Sequence, residues 1–121
     1  MEMRTPNGNR TYKAGAAILK GQPLKFDGSG DVVPCSAADD AAIGVALDGC
    51  KSGDYLPVAI LGNFPGTVEV VAGGAVALGA QVAANGTATA AATDVIIGRA
   101  LRAAAAEGDM IEIAHQVGQV K

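Results

Sequence analysis

The chain of 121 residues has no tryptophan, only two tyrosines and two phenylalanines, one histidine and two cysteines. Sites that recognise glycans or other small ligands usually carry aromatic platforms and convergent polar groups, so this scarcity disfavours them. The cysteines lack CxxC spacing and only one histidine accompanies them, which leaves a structural zinc site without ligands. We therefore expect no metal and no cofactor, and free thiols at Cys35 and Cys50.

Long hydrophobic runs and strong charge are also missing. The longest segment without a polar side chain, residues 70–80, is too short to span a membrane and is interrupted by glycines. Residues 1–13 lack the apolar core of a secretory signal, so we expect a soluble protein made in a reducing cytoplasm. Charged residues make up 17% of the chain, the net charge is -3 and the pI is about 4.9, which disfavours direct nucleic-acid binding because that usually needs a basic face.

Small residues are in excess. The chain contains 25 alanines and 17 glycines, so 42 of 121 positions carry one side-chain carbon or none, and only 28 residues are Val, Ile, Leu or Phe. Each buried methylene stabilises a fold by only about 0.8 kcal/mol, so a core built from such residues is thin. We expect the protein to gain stability by association with partners.

Three blocks of the sequence recur in the same order, at offsets of 58, 54 and 55 residues. They are AGAAILKGQPLKFDG (14–28) with AGGAVALGAQVAANG (72–86), IGVAL (43–47) with IGRAL (97–101), and SGDYLPVAI (52–60) with EGDMIEIAH (107–115). The order and the small insertions between blocks indicate a degenerate tandem repeat.

Each repeat has the pattern of short strands. Apolar residues alternate at Leu56, Val58 and Ile60, and turn residues such as Asp-Gly and Asn-Gly separate the segments. This pattern predicts an all-β fold, either a small barrel or a sandwich. Residues 102–107, RAAAAE, favour a helix by composition but align with a turn, so we predict a widened turn with at most one helical turn. Residues 88–93 are predicted as a strand or a loop.

The sequence divides into an N-terminal arm, residues 1–12, and a single β domain, residues 13–121. Within the domain we place repeat one at about 13–62, a connecting strand that joins the halves at about 67–71, and repeat two at about 72–116.

Charge distinguishes the arm from the domain. Residues 1–13 hold Arg4, Arg10 and Lys13 against one glutamate, a net +2, and the total of -3 leaves -5 for the rest. Such contrast can steer an arm onto an acidic partner surface. Arg4, Arg10, Tyr12 and Lys13 are the candidate partner-binding residues.

No set of residues predicts catalysis. His115 replaces Ile60 of the first repeat and has no nucleophile or orienting carboxylate at a recognisable spacing, so we expect a structural or interface histidine at a strand end. The stretch DGSGD, residues 27–31, begins like a calcium loop but lacks the later glycine and glutamate, which predicts a hairpin tip. The neighbouring Asp39 and Asp40 are interpreted as solvated loop residues. We expect no catalytic residue.

The doubled pattern resembles the small cement, or head decoration, proteins of tailed bacteriophages. Its most specific parts are IGVALDGCKSGDYLPVAILG (43–62) and TVEVVAGGAVALGAQV (67–82). The resemblance implies a β-rich, non-enzymatic module that binds the major capsid protein on the outside of an assembled head and stabilises the shell, commonly as a symmetric homotrimer. Arg99, Arg102 and His115 depart from the first repeat at positions that are apolar or acidic there.

A different class of protein also fits the residues. A β module that binds a glycan or another small ligand is the alternative, and the scattered aromatic residues argue against it.

Overall fold

A computed structural model describes residues 9–88 and 93–120. Nine short strands and no helix occur in these residues, as the sequence predicts for an all-β protein. The strands are β1 (Asn9–Lys13), β2 (Pro23–Phe26), β3 (Val32–Pro34), β4 (Gly44–Ala46), β5 (Tyr55–Ile60), β6 (Val68–Val71), β7 (Gln81–Ala83), β8 (Val95–Ala100) and β9 (Met110–Val120).

The strands form two antiparallel sheets. The five-stranded sheet has the order β1-β5-β4-β2-β3 and the four-stranded sheet has the order β6-β9-β8-β7. One isolated bridge, between Ala14 and Val32, joins the two edges of the first sheet. No strand pairing among the described residues closes either sheet into a barrel, so of the two predicted architectures the sandwich is right and the barrel is wrong.

The predicted repeat is confirmed by the register of the strands. β1 pairs with β5 as β6 pairs with β9, with Lys13 opposite Tyr55 and Val71 opposite Met110. These residues correspond at the offsets of 58 and 55 found in the sequence. An isolated bridge between Ile18 and Cys50 has its counterpart between Val76 and Ala104. Each sheet is therefore one copy of the same unit.

Each unit includes an edge strand that the repeated sequence blocks leave out. The segment at 67–71, predicted as a strand joining the halves, forms β6, the edge strand of the second unit. Its counterpart is β1 (Asn9–Lys13), which includes residues 9–12 of the predicted arm. NRTYK and VEVV share no residue, because an edge strand pairs through its backbone and needs no particular side chain. Residues 1–8 of the predicted arm lie outside the described residues.

The two units have separate cores that meet along one face. The first contains Leu24, Leu56 and Val58, all at most 1% exposed. The second is larger because it also takes in Val45 and Ala59 from the opposite face of the first sheet. The first sheet is therefore buried on both faces.

The turns predicted at residues 27–31 and 102–107 are confirmed by the structure. Asp27 forms the hairpin tip by accepting hydrogen bonds on Oδ1 from the backbone N–H groups of Ser29 and Asp31, at 2.8 and 3.0 Å. Residues 101–109 form a wide turn that contains no helix. Residues 89–92, within the segment predicted as strand or loop, lie outside the described residues.

Candidate interaction surface

Three of the four candidate partner-binding residues lie on the edge strand β1. The guanidinium carbon of Arg10 is 5.2 Å from the centre of the Tyr12 ring, within the range of a cation–π contact. Tyr12 in turn meets Phe26 edge to face, with ring centres 5.4 Å apart and an angle of 74°. Lys13 is exposed at the other end of the strand. Arg4 lies outside the described residues.

Sequence reasoning missed Phe26 because the contact depends on the shape of the sheet. β5 and β4 lie between β1 and β2, so in a flat sheet the two aromatic residues would be about 14 Å apart. The observed 5.4 Å requires the sheet to curl until its first and fourth strands meet. No spacing in the sequence signals that curl.

An apolar groove of about 380 Å³ lies beside this aromatic pair. Its lining residues are Tyr12, Phe26, Ala42, Ile43, Ile60, Leu61 and Val117. The hydroxyl of Tyr12 is the one polar side-chain group among them. Such a groove suits an apolar protein segment and offers few hydrogen bonds to a polar ligand.

His115 is a structural residue, as predicted, although it lies within β9 and not at its end. Its Nδ1 accepts a hydrogen bond from the backbone N–H of Gly62, and its Nε2 lies 2.9 Å from the carbonyl oxygen of Phe64. A neutral imidazole that carries its proton on Nε2 satisfies both contacts. His115 thus fastens the loop after β5 to the second unit, and both ring nitrogens are occupied.

Neither cysteine has the properties of a nucleophile. Both are free thiols, as expected. Burial and, to a smaller extent, the nearby carboxylate of Asp40 raise the pKa of Cys35 to about 12, with Lys25 opposing the change. Desolvation and the carboxylates of Asp54 and Asp48 also raise the pKa of Cys50. Since the thiolate is the reactive form, raised pKa values keep both thiols mainly protonated at neutral pH and make them poor nucleophiles.

Asp40 has a structural role that the sequence did not indicate. Its Oδ2 accepts hydrogen bonds from the N–H groups of Ser36 and Ala37, at 2.8 and 2.9 Å, and its Oδ1 lies 3.1 Å from Nζ of Lys25. Desolvation opposes ionisation, yet these contacts together lower the pKa of the carboxyl. The loop that Asp40 holds reaches the second unit, where the backbone N–H of Val95 donates a hydrogen bond to the carbonyl oxygen of Ala38 at 2.8 Å.

Residues 9–88 and 93–120 contain no group of three or more His, Cys, Asp or Glu side chains that could hold a metal ion. The same residues include no helix long and apolar enough to cross a membrane. The surface built by β1 and the adjoining groove combines charge, aromatic rings and apolar area.

Comparison with known proteins identifies the family of this chain. The family model of phage cement proteins matches residues 9–115, nearly the whole described chain. The chain belongs to the phage cement protein family. This cement protein therefore has a structural role associated with the phage capsid. The family match begins at β1, in agreement with the start of the first unit in the structure.

A solved structure shares the fold of this cement protein. The N-terminal base of the head fiber protein gp8.5 of bacteriophage phi29 aligns with a TM-score of 0.68, over 93% of this chain and 97% of that chain. The two sequences are 18% identical, so the likeness concerns the fold. A search of curated proteins gave no match.

Proposed function

We propose that the cement protein binds the outer surface of an assembled phage head, contacts the major capsid protein and stabilises the shell without enzymatic activity. The observation that carries this proposal is the family match over residues 9–115. The protein is made in the host cytoplasm and acts as a homotrimer. Many weak contacts repeated over a lattice hold such a protein through avidity.

The capsid contact that the structure favours is the edge strand β1 with its groove. Arg10 and Tyr12 lie at the rim of an apolar groove, and Arg4 lies close by in the chain. A central apolar area with a polar or charged rim is the usual composition of a protein interface. We assign Arg4, Arg10 and Tyr12 to the capsid contact, and Lys13 to partner binding at the neighbouring end of the same strand.

Co-sedimentation with undecorated heads tests this assignment. Deleting residues 1–12 would remove a strand of the first sheet, so a charge reversal at Arg10 is the better perturbation. Arg10→Glu should weaken binding to heads severalfold, and the wild-type interaction should weaken with salt because exposed charges are screened. Lys20→Glu, at an exposed position in the loop before β2, is the matched control and should bind normally. Undiminished binding of Arg10→Glu would contradict the assignment.

The alternative, a module that binds a glycan or small ligand, finds one observation in its favour. Tyr12 and Phe26 are adjacent in space although they are distant in sequence. The groove beside them has an almost wholly apolar lining, which ranks this function second. A glycan array with reproducible hits, together with no binding to heads, would reverse the order.

A further inference from the structure

The two units of the chain touch each other through different surfaces. The first unit contributes its loop face, which we define as Gly21, Val45 and Leu47. The second contributes its edge face, which we define as Val71 and Met110. The N–H of Val71 donates to the carbonyl of Gly21 at 2.9 Å, and a Cβ added at Gly21 would lie 2.8 Å from Cε of Met110.

The burial of Val45 shows that the loop face is packed against the second unit. Val45 is 1% exposed and belongs to the core cluster of the second unit, and Leu47 packs against the same cluster. Close packing of this kind is characteristic of a stable interface core.

Each face has an exact counterpart on the other unit, because the strands of the two units share one register. The second unit has a loop face made of Gly79, Arg99 and Leu101. The first unit has an edge face made of Lys13 and Tyr55.

These counterpart faces are uncovered. A Cβ added at Gly79 would meet nothing within 4 Å, whereas the same position at Gly21 is filled. Leu101 is 47% exposed and Tyr55 is 69% exposed. The carbonyl of Gly79 is equivalent to that of Gly21, which accepts a hydrogen bond from Val71. It accepts a hydrogen bond from Nη1 of Arg99 in its own unit, at 3.0 Å.

The arrangement of the units is therefore directional. A two-fold relation would bring both pairs of faces together inside one chain, joining Gly79 to Lys13 as Gly21 is joined to Val71. Both residues are described, and no backbone hydrogen bond joins them. One pair of faces is in contact within the chain, and the corresponding pair is left open, with one open face on each unit.

We propose that the two open faces bind each other between copies of this chain, so that the loop face of one copy docks head to tail on the edge face of the next. The backbone N–H of Lys13 then donates to Gly79 of the neighbour, and Tyr55 takes the place that Met110 has within the chain. A second copy is the occupant because the partner surface is already present on the same chain, in register. Lys13 also has the register position of Val71, whose backbone N–H points away from its own sheet to Gly21.

Head-to-tail contacts form a ring when their rotation closes. Three copies would place six units around such a ring, and the number three rests on the trimer of the proposed function. The faces themselves do not rest on it, since they follow from the contact between the two units.

Site-specific photo-cross-linking tests the inference. p-Benzoylphenylalanine in place of Tyr55 keeps an aromatic side chain at the exposed position and should cross-link to the segment 77–81 or to Leu101. Mixing isotopically light and heavy protein shows by mass spectrometry that the cross-link joins two chains. The same probe in place of Ser29, exposed at the hairpin tip, is the control and should give no such product. Cross-links that stay within one chain, or that map elsewhere, would overturn the proposal.

A pair of variants tests the directional character. Leu101→Glu blocks the loop face and Tyr55→Glu blocks the edge face, so each variant alone should sediment as a monomer. An equimolar mixture should form a heterodimer, since each variant retains the face that the other lacks. Ser29→Glu should leave the oligomer intact. A wild-type monomer at micromolar concentration, or a mixture that stays monomeric, would refute the contact.

Head binding measured on the same variants separates this proposal from the proposed function. Heads decorated by a monomeric wild-type protein would overturn the contact between copies alone. A ring that forms but does not bind heads would overturn the capsid function alone.

Discussion

Gly98→Ala should destabilise the protein because a Cβ at this position has no space. Gly98 lies in β8 opposite His115 of β9, and an added Cβ would collide with the carbonyl oxygen of Ala114 and lie 3.0 Å from the Cα of His115. These are backbone atoms, which cannot rotate aside. Gly44, its counterpart in the first unit, meets the carbonyl of Ala59 in the same way. The repeated glycine thus sets the close approach of two central strands.

The cost can be estimated from two opposing effects. Overpacking a well-packed interior costs typically about 1–3 kcal/mol, and we expect the upper end because β8 and β9 would have to separate. Alanine also restricts the unfolded chain, which offsets roughly 0.4–1 kcal/mol. The net loss is about 2 kcal/mol, or a fall in Tm of about 8 °C at roughly 4 °C per kcal/mol for a domain of this size.

Thermal unfolding followed by circular dichroism measures this loss, at one protein concentration because association shifts Tm. Gly28→Ala is the control, since a Cβ at that turn position meets nothing within 4 Å and its φ is not positive. Its stability should stay within about 0.5 kcal/mol of the wild type. A Gly98→Ala protein that melts with the wild type would refute the packing argument.

Three further predictions follow from the remaining contacts. Cys35 should react with a soluble thiol reagent far more slowly than Cys50, because burial raises the pKa of Cys35 to about 12, and equal rates would be inconsistent with its position. Asp40→Asn should lower stability by about 1 kcal/mol near neutral pH. The loss should shrink as pH falls below the unfolded pKa of 3.8, since the folded pKa is lower and the stabilisation disappears as the carboxylate is protonated. The control Asp39→Asn should leave stability unchanged. If the loss of stability in Asp40→Asn did not depend on pH, the Asp40 carboxylate would not be its cause. His115→Ala should speed hydrogen exchange of the backbone amides in the loop after β5, whereas unchanged exchange would show that the imidazole does not hold that loop.

The repeat could be predicted from sequence because its turns need particular residues. Gly21 and Gly79 have φ values of 87° and 81°, and Gly53 and Gly108 have 90° and 94°, a conformation that favours glycine over residues with a Cβ. Such positions keep their identity in both units and reveal the register. The edge strands β1 and β6 could not be found in this way, since backbone pairing accepts NRTYK and VEVV alike.

The candidate surface was predictable in part. Charge contrast drew attention to Arg10 and Lys13, and the structure places both on β1. The contact of Tyr12 with Phe26 depends on the curl of a whole sheet, which no local pattern encodes. The role of Asp40 was missed for a similar reason, since its partners include backbone N–H groups that every residue possesses.

The 42 small residues predict a thin core, and the two units differ in how they add to it. The first unit compensates by burying the outer face of its sheet on the second unit, with Val45 and Ala59 at 1% exposure. The second unit leaves the equivalent positions Arg99 and Ala114 exposed. We therefore expect dependence on partners at the two open faces.

Electron microscopy of undecorated phage heads incubated with the purified protein tests the central claim most directly. The account predicts additional density at regular lattice positions on the outer surface of the shell. The two-unit fold should fit into that density. Heads that remain bare at saturating protein, or density found only inside the shell, would contradict it.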